Sequence, residues 1–65
     1  MSKELLKEPD YMEVVTELQK KGSMTKEEIH SFVNKHALPA GMNIFYDLLF
    51  ANIIVENNGK YNVKN

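Results

Sequence analysis

The feature that most constrains this chain is a change of apolar spacing at Asn52, from a helical repeat to an extended run. Residues 38–52 read LPAGMNIFYDLLFAN. At 100° per residue, one side of a helix over this stretch carries a mainly apolar set, made up of Gly41, Phe45, Leu48, Leu49 and Asn52. Ile44 lies at the margin of that side. The spacing predicts a helix whose apolar side packs into a core.

The opposite side of the same helix has a mixed polar and aromatic character and contains no lysine. It consists of Asn43, Tyr46, Asp47 and Phe50. Two interpretations are open for its aromatic residues. Either Tyr46 and Phe50 cover the edge of the core or tuck under a neighbouring hairpin, or they form an exposed patch typical of an interaction site.

A β-hairpin is predicted directly after this helix. Asn52 is a residue that can end a helix in the left-handed conformation, and Ile53, Ile54 and Val55 favour a strand. Asn58 and Gly59 are the preferred pair for a type I′ two-residue turn. That turn predicts the pairs Asn57 with Lys60, Glu56 with Tyr61, Val55 with Asn62, and Ile54 with Val63. Ile54, Tyr61 and Val63 are then expected to face the helices.

Two further helices are predicted upstream. Asp10 and Glu13 have capping-box spacing, which predicts a first helix over residues 11–21 that ends at Gly22. Thr25 and Glu28 form a second such box. A second helix is therefore expected from Lys26 to about residue 36 or 37.

The residues around the second helix complete this prediction. Met24 is expected to pack on Ile29 as a hydrophobic staple, and His36 to extend the buried stripe of Ile29, Phe32 and Val33. Pro39 fits the first turn of the third helix. The sequence thus predicts an α+β fold, with a three-helix core and a C-terminal β-hairpin.

Length and composition limit the class of protein. Sixty-five residues allow one domain over 1–65, in which residues 1–9 form either a flexible arm or one that docks through Leu5 and Leu6. The chain has no cysteine and no long apolar N-terminal segment, which favours a cytoplasmic protein without a membrane anchor. Apolar residues make up 43% and charged residues 26%, typical of a globular domain.

The run MTKEEIHSFVNKHALPAGMNIFYDLLFANIIVENNGKYNV resembles a winged helix-turn-helix domain. The resemblance lies in the T-x-E-E-I helix start, the leucine near the end of the third helix, the turn into two apolar residues and the hairpin ending in Y-x-V. It covers residues 22–63, with residues 11–21 as the first helix. It implies that the third helix enters the DNA major groove, with Asn43, Tyr46 and Asp47 facing the bases and Lys60 on the wing.

Charge bears on this expectation, because phosphate contacts supply most non-specific affinity for DNA. The formal net charge is -1, and all eight basic residues are lysine. The chain departs from the family pattern in having no arginine or lysine on the third helix, where Asp47 has the wrong sign for DNA. Free amides at the start of the third helix are expected to bind a phosphate, and four lysines are expected to contact flanking phosphates. These are Lys26, Lys35, Lys60 and Lys64. So few contacts require a homodimer for tight binding.

Two functions are therefore predicted as alternatives. The first is a small double-stranded-DNA-binding regulator of transcription or replication, dimeric in its tight-binding form. The second is a module that binds a protein partner through Tyr46 and Phe50 without contacting DNA. No catalytic constellation, cofactor motif or metal site is predicted, since His30 and His36 are six residues apart and lie on different sides of their helix.

Overall fold

The structure is a computed structural model and describes residues 2–64. A 3-10 helix at Ser2–Lys7 precedes three α-helices: α1 at Pro9–Lys21, α2 at Lys26–Lys35 and α3 at Asn43–Phe50. Three short strands complete the fold: β1 at Met24–Thr25, β2 at Ile54–Asn57 and β3 at Lys60–Val63. The predicted α+β class is confirmed. Three helices with a three-stranded antiparallel sheet are compatible with a winged-helix-like architecture.

The hairpin β2–β3 has the predicted register at all four pairs. Asn58 and Gly59 have φ angles of 52° and 83°, as a type I′ turn requires. The sheet has one more strand than predicted, because β1 pairs with the outer side of β3 in the order β1-β3-β2. Met24, expected as a staple residue, lies opposite Tyr61 in this pairing and is also 2% exposed.

The core lies between the three helices and the sheet. Its fully buried side chains come from all three α-helices and from two strands, and they are Val14, Val15, Leu18, Met24, Ile29, Val33, Ile44, Phe45, Leu48 and Ile54. Tyr61 and Val63 pack against this core as predicted. Ile44, placed at the margin by the sequence, is 0% exposed, whereas Asn52 is exposed and Leu49 is half-buried. The core side of α3 is therefore centred nearer Ile44 than predicted.

The start of α3 also differs from the prediction. Residues 38–42 form turns, and Gly41 has a φ of 56°, which is incompatible with a right-handed helix. Pro39 and Gly41 are thus outside the helix that was predicted to contain them. The other end is as predicted, because Asn52 has a φ of 64°.

The two predicted capping boxes have different outcomes. Thr25 and Glu28 form theirs, with the Glu28 amide donating to the Thr25 hydroxyl and the Thr25 amide donating to the Glu28 carboxylate. The box at Asp10 is wrong, because α1 begins two residues earlier. Pro9 occupies a first-turn position of α1, where its missing N–H costs nothing, and Glu8 is the N-cap without a side-chain hydrogen bond.

Residues at the ends of the helical core complete the description. His36 is the exposed C-cap of α2 rather than part of the buried stripe, since the helix ends at Lys35. Leu6 of the 3-10 helix packs against the core. Within residues 2–64, the structure contains no helix with both the length and the apolar character needed to span a bilayer.

Candidate functional site

The four residues Asn43, Tyr46, Asp47 and Phe50 form the outer face of α3, and all four are exposed. Phe50 is 96% exposed and Tyr46 is 47% exposed. At 100° per residue, Phe50 lies almost opposite the buried arc between Ile44 and Phe45. Phe50 therefore neither covers the core nor tucks under the hairpin, and that alternative is excluded for this residue.

Tyr46 occupies the side of the outer face that is nearest to α2. The Nζ atom of Lys26, the first residue of α2, lies 5.3 Å from the centroid of the Tyr46 ring. Hydrogen bonding to the Tyr46 side chain raises the pKa of Lys26. The Tyr46 ring also meets the buried Phe45 ring edge-on, at a centroid distance of 5.1 Å. Tyr46 is thus half-packed and held in place by two neighbours.

Asp47 occupies the opposite side, nearest to α1. The Tyr11 hydroxyl donates a hydrogen bond of 2.5 Å to Asp47 Oδ2, which connects α1 to α3. This bond raises the pKa of Tyr11, and the nearby carboxylates of Glu8 and Asp10 contribute to the same shift. Asp47 therefore already has a partner within the chain. This contact was not predicted, because its two residues are far apart in sequence and no local pattern connects them.

The four candidate lysines do not form one surface. Lys60 pairs with Thr25 across β1 and β3, so it lies beside the start of α2 and close to Lys26. Lys64 follows the far end of β3, about 13 Å along the strand from Lys60 at the usual rise per residue. Lys35 lies at the other end of α2, in a groove that also contains Lys20 and Lys21. Of these four lysines, Lys26 has its side chain against Tyr46. Lys60 is next to Tyr61, which packs on Phe45 of α3, so Lys60 lies on the opposite face of β3.

The start of α3 does not supply the free amides that were expected to bind phosphate. The amide of Asn43 donates to the carbonyl of Ala40, that of Ile44 to Gly41 and that of Tyr46 to Met42, each at 3.1 Å. The turn before α3 provides these acceptors. The prediction of a phosphate site at this end of the helix is therefore wrong for these three amides.

The outer face has two flanks that differ in charge. The acidic flank, on the α1 side, contains Glu8, Asp10 and Asp47, which surround Tyr11. The α2 flank contains Lys26 against Tyr46, with Glu27 beside it. Tyr46 and Asp47 are consecutive, so their side chains point about 100° apart around the helix, with Phe50 between them.

The two histidines have roles within α2. His30 Nε2 lies 3.3 Å from the Asn34 side-chain nitrogen. His36 Nδ1 lies 3.0 Å from the Phe32 carbonyl, and its ring packs on Phe32 at a centroid distance of 4.1 Å. Among residues 2–64, no group of three or more histidine or carboxylate side chains is placed to hold a metal ion.

Searches of protein-family models, curated proteins and solved structures find no match to this chain. The geometry of α3 and its two flanks is therefore the basis for a functional proposal.

Proposed function

We propose that this chain is a winged-helix domain that binds another protein through the outer face of α3. The observation that supports this most directly is Phe50, a large apolar side chain that is 96% exposed. Fully burying a phenylalanine side chain is favourable by about 1.5–3 kcal/mol. Covering Phe50 would thus contribute up to about that amount to binding, and aromatic residues are enriched among those that dominate interface energetics.

The charges on α3 favour a protein partner over a duplex. The helix contains no lysine, and Asp47 is on the face that a winged helix would direct at DNA. A carboxylate at that position opposes phosphate, and the formal net charge of -1 provides no general attraction. An apolar partner surface with a polar rim fits this face better.

Two side chains of the outer face are already held in place, which favours binding. Lys26 lies over the Tyr46 ring, and Tyr11 donates a hydrogen bond to Asp47. Side chains that are already fixed lose less conformational entropy on association. Ordering Tyr46 and Asp47 would therefore add little to the cost of binding.

Photo-crosslinking tests this proposal directly. Benzoylphenylalanine would replace Phe50 in one variant and Gln19, an exposed residue on the second half of α1, in a matched control. In cells that produce the protein, we expect a discrete adduct from position 50 and none from position 19. The partner identified in the adduct would then be purified without the crosslink, and its affinity for this chain would be measured by calorimetry.

The purified partner provides the decisive comparison. Tyr46→Ala combined with Phe50→Ala is expected to weaken binding at least about 100-fold, since interface aromatic residues often contribute 2 kcal/mol or more. Gln19→Ala should bind like the wild type. The proposal would be contradicted if the wild type, the double variant and Gln19→Ala bound the partner with equal affinity. Equal crosslinking from positions 50 and 19 would also contradict it.

A second candidate function is binding of double-stranded DNA. It is favoured by one observation, the position of the Lys26 ammonium beside the Tyr46 ring on the outer face. In that mode Asn43 would bond an adenine edge, and Lys26 and Lys60 would contact phosphates, as in a regulator of transcription or replication.

A titration with random duplex DNA at about 50 mM and about 200 mM salt separates the two candidates. Two phosphate contacts predict a logarithmic salt slope of only about -2. If Lys26→Glu with Lys60→Glu abolishes binding at low salt, DNA becomes the preferred partner. No binding of the wild type at low salt would leave the protein partner as the stronger candidate.

A further inference from the structure

We propose that Asn58 is a site of spontaneous covalent modification, which the native hairpin suppresses and which opening of the hairpin releases. The site is the link between Asn58 and Gly59 at the tip of β2 and β3, where both residues are exposed. Asn58 is the only asparagine of the chain that precedes a glycine. A glycine has no side chain to shield its backbone nitrogen. This nitrogen is therefore the most accessible nucleophile next to any asparagine side chain in the sequence.

The modification is a ring closure within the chain that needs only water. The Gly59 nitrogen loses its proton to solvent and bonds to Cγ of Asn58, while the Cγ–Nδ2 bond breaks and Nδ2 takes up a proton and leaves as ammonia. Water then opens the cyclic imide at either carbonyl. Cleavage between the Gly59 nitrogen and Cγ gives aspartate in a normal main chain. Cleavage on the other side of the nitrogen gives isoaspartate, whose main chain runs through Cβ and Cγ, and neither route oxidises or reduces any group.

The native turn keeps the reacting atoms apart. Asn58 and Gly59 have φ angles of 52° and 83°, which fit a type I′ turn. In such a turn the first central residue has a ψ of about 30°. This ψ places the Gly59 nitrogen nearly trans to Cβ of Asn58, whereas ring closure needs the two atoms nearly eclipsed. The ring can therefore form only after a backbone rotation that removes the turn.

A contact from β2 acts on the nucleophile itself. The Gly59 amide donates a hydrogen bond of 3.1 Å to Oε2 of Glu56. Ring closure requires this nitrogen without its proton, and a neighbouring carboxylate opposes the negative charge that deprotonation creates. Glu56 therefore stabilises the unreactive form of the tip, in addition to the strand pairing that sets the turn.

The two products differ in their effect on the sheet. Aspartate followed by glycine also favours a type I′ turn, so this product keeps the native hairpin. Isoaspartate lengthens the main chain at the tip, and a two-residue turn then no longer fixes the register of β2 and β3. The core depends on that register, because Ile54 is fully buried and the Tyr61 ring meets that of Phe45 at 4.8 Å. A chain that stays open for long enough thus acquires a permanent defect in its sheet.

Peptide mass spectrometry of the full chain, aged in mildly alkaline buffer with and without urea, tests the proposal. Loss of ammonia and gain of water raise the mass of the peptide that contains Asn58, and chromatography separates its aspartate and isoaspartate forms. Modification should be at least about tenfold slower in the native chain than in urea, because the hairpin must open first. Asn57 and Asn62 precede larger residues and are internal controls. Equal rates with and without urea, or equal modification of the three asparagines in urea, would overturn the proposal.

A pair of variants tests the contact with Glu56. Glu56→Ala should be modified faster than the wild type in the native state and at the same rate in urea. Asn57→Ala is the matched control, because it removes another hydrogen bond of the hairpin, from Asn57 Nδ2 to Asn62 Oδ1, without affecting Gly59. It should accelerate the reaction less. A slower reaction of native Glu56→Ala would mean that the carboxylate acts as a base, and it would overturn the suppressing role, as would equal acceleration by both variants.

The purified products test the predicted defect. Asn58→Asp reproduces the aspartate product and should unfold at the same urea concentration as the unmodified wild type. The isoaspartate form, which has the same composition as Asn58→Asp, should unfold at a lower urea concentration. An isoaspartate form that is as stable as Asn58→Asp would overturn the link between the modification and the sheet.

Discussion

Phe45 and Phe50 are the same residue type on one short helix, yet their environments are opposite. Phe45 is 1% exposed and meets the Tyr61 ring edge-on at 4.8 Å, whereas Phe50 is 96% exposed. The five-residue separation turns them by about 140° around the helix. One is therefore part of the core and the other is available for binding.

Matched alanine substitutions should separate these two roles. Phe45→Ala is expected to lower the free energy of unfolding by about 3–5 kcal/mol, because it leaves a cavity in the core. Phe50→Ala should change it by less than about 0.5 kcal/mol, as for other exposed positions. Urea unfolding of the monomer at low protein concentration measures both. A loss above 1 kcal/mol for Phe50→Ala would show that its side chain packs within the chain.

The bond between Tyr11 and Asp47 predicts a pH dependence of stability. The folded chain raises the pKa of Tyr11 above its ordinary value of 10.0, because Asp47 accepts a hydrogen bond from the protonated hydroxyl. The resulting stability is present below about pH 10 and is lost as the pH rises through the raised pKa. Tyr11→Phe should therefore cost about 1 kcal/mol at neutral pH, and the difference from the wild type should shrink above pH 10.

Unfolding of both proteins at about pH 8 and about pH 11 measures this effect, since free tyrosine titrates between these values. A constant difference between wild type and Tyr11→Phe would contradict the role of the hydroxyl. At this scale helical spacing grouped Asn43, Tyr46, Asp47 and Phe50 on one side of α3, but it left open whether Tyr46 and Phe50 were covered. It did not predict the Tyr11 contact, because that depends on how α1 packs against α3.

Among the elements, the clearest difference between the sequence-based prediction and the structure is at the start of α3. If Gly41 were helical, as the sequence suggested, Gly41→Ala would stabilise the chain by about 1 kcal/mol through helix propensity. Gly41 instead has a φ of 56°, with open space where a Cβ would lie. The substitution should therefore destabilise the chain by about 1 kcal/mol through backbone strain alone. Thermal unfolding gives the sign, and a raised melting temperature would contradict the left-handed conformation.

The starts of α1 and α2 are capped differently, so substitutions there should lower the free energy of unfolding by different amounts. Thr25→Ala removes a formed capping box and should cost about 1 kcal/mol. Asp10→Ala removes only a favourable charge in the first turn of α1, about 0.5 kcal/mol. The free energies of unfolding of the two variants test this order. Similar losses would indicate that Asp10 also caps its helix.

Element types and boundaries were predictable where a local rule applies, and not elsewhere. The hairpin register followed from Asn58 and Gly59, and the start of α2 followed from Thr25 and Glu28. The strand β1 has only two residues, too short for any period, and it exists because β3 pairs with it. The start of α1 at Pro9 was missed because two local signals compete there, and the proline determines the outcome.

For the whole molecule, a small core and an exposed aromatic surface link stability to partner binding. A partner that binds only the folded state stabilises it by mass action, so the melting temperature should rise when the partner is added. We expect such a rise for the wild type and none for Phe50→Lys, which places a charge on the outer face of α3. Calorimetry over a hundredfold range of partner concentration measures the difference. Identical behaviour of both proteins would argue against binding through this face.

The strand order β1-β3-β2 has a consequence for how the domain forms during translation. β3 is the central strand, although it is the last strand to be synthesised. Neither β1 nor β2 has a hydrogen-bonding partner in the sheet until residues 60–63 have left the ribosome. A nascent chain that stalls before this point keeps two open strand edges and apolar surface that the sheet would cover, which makes it a substrate for chaperones and proteases. The native fold is therefore completed only after the last strand is released.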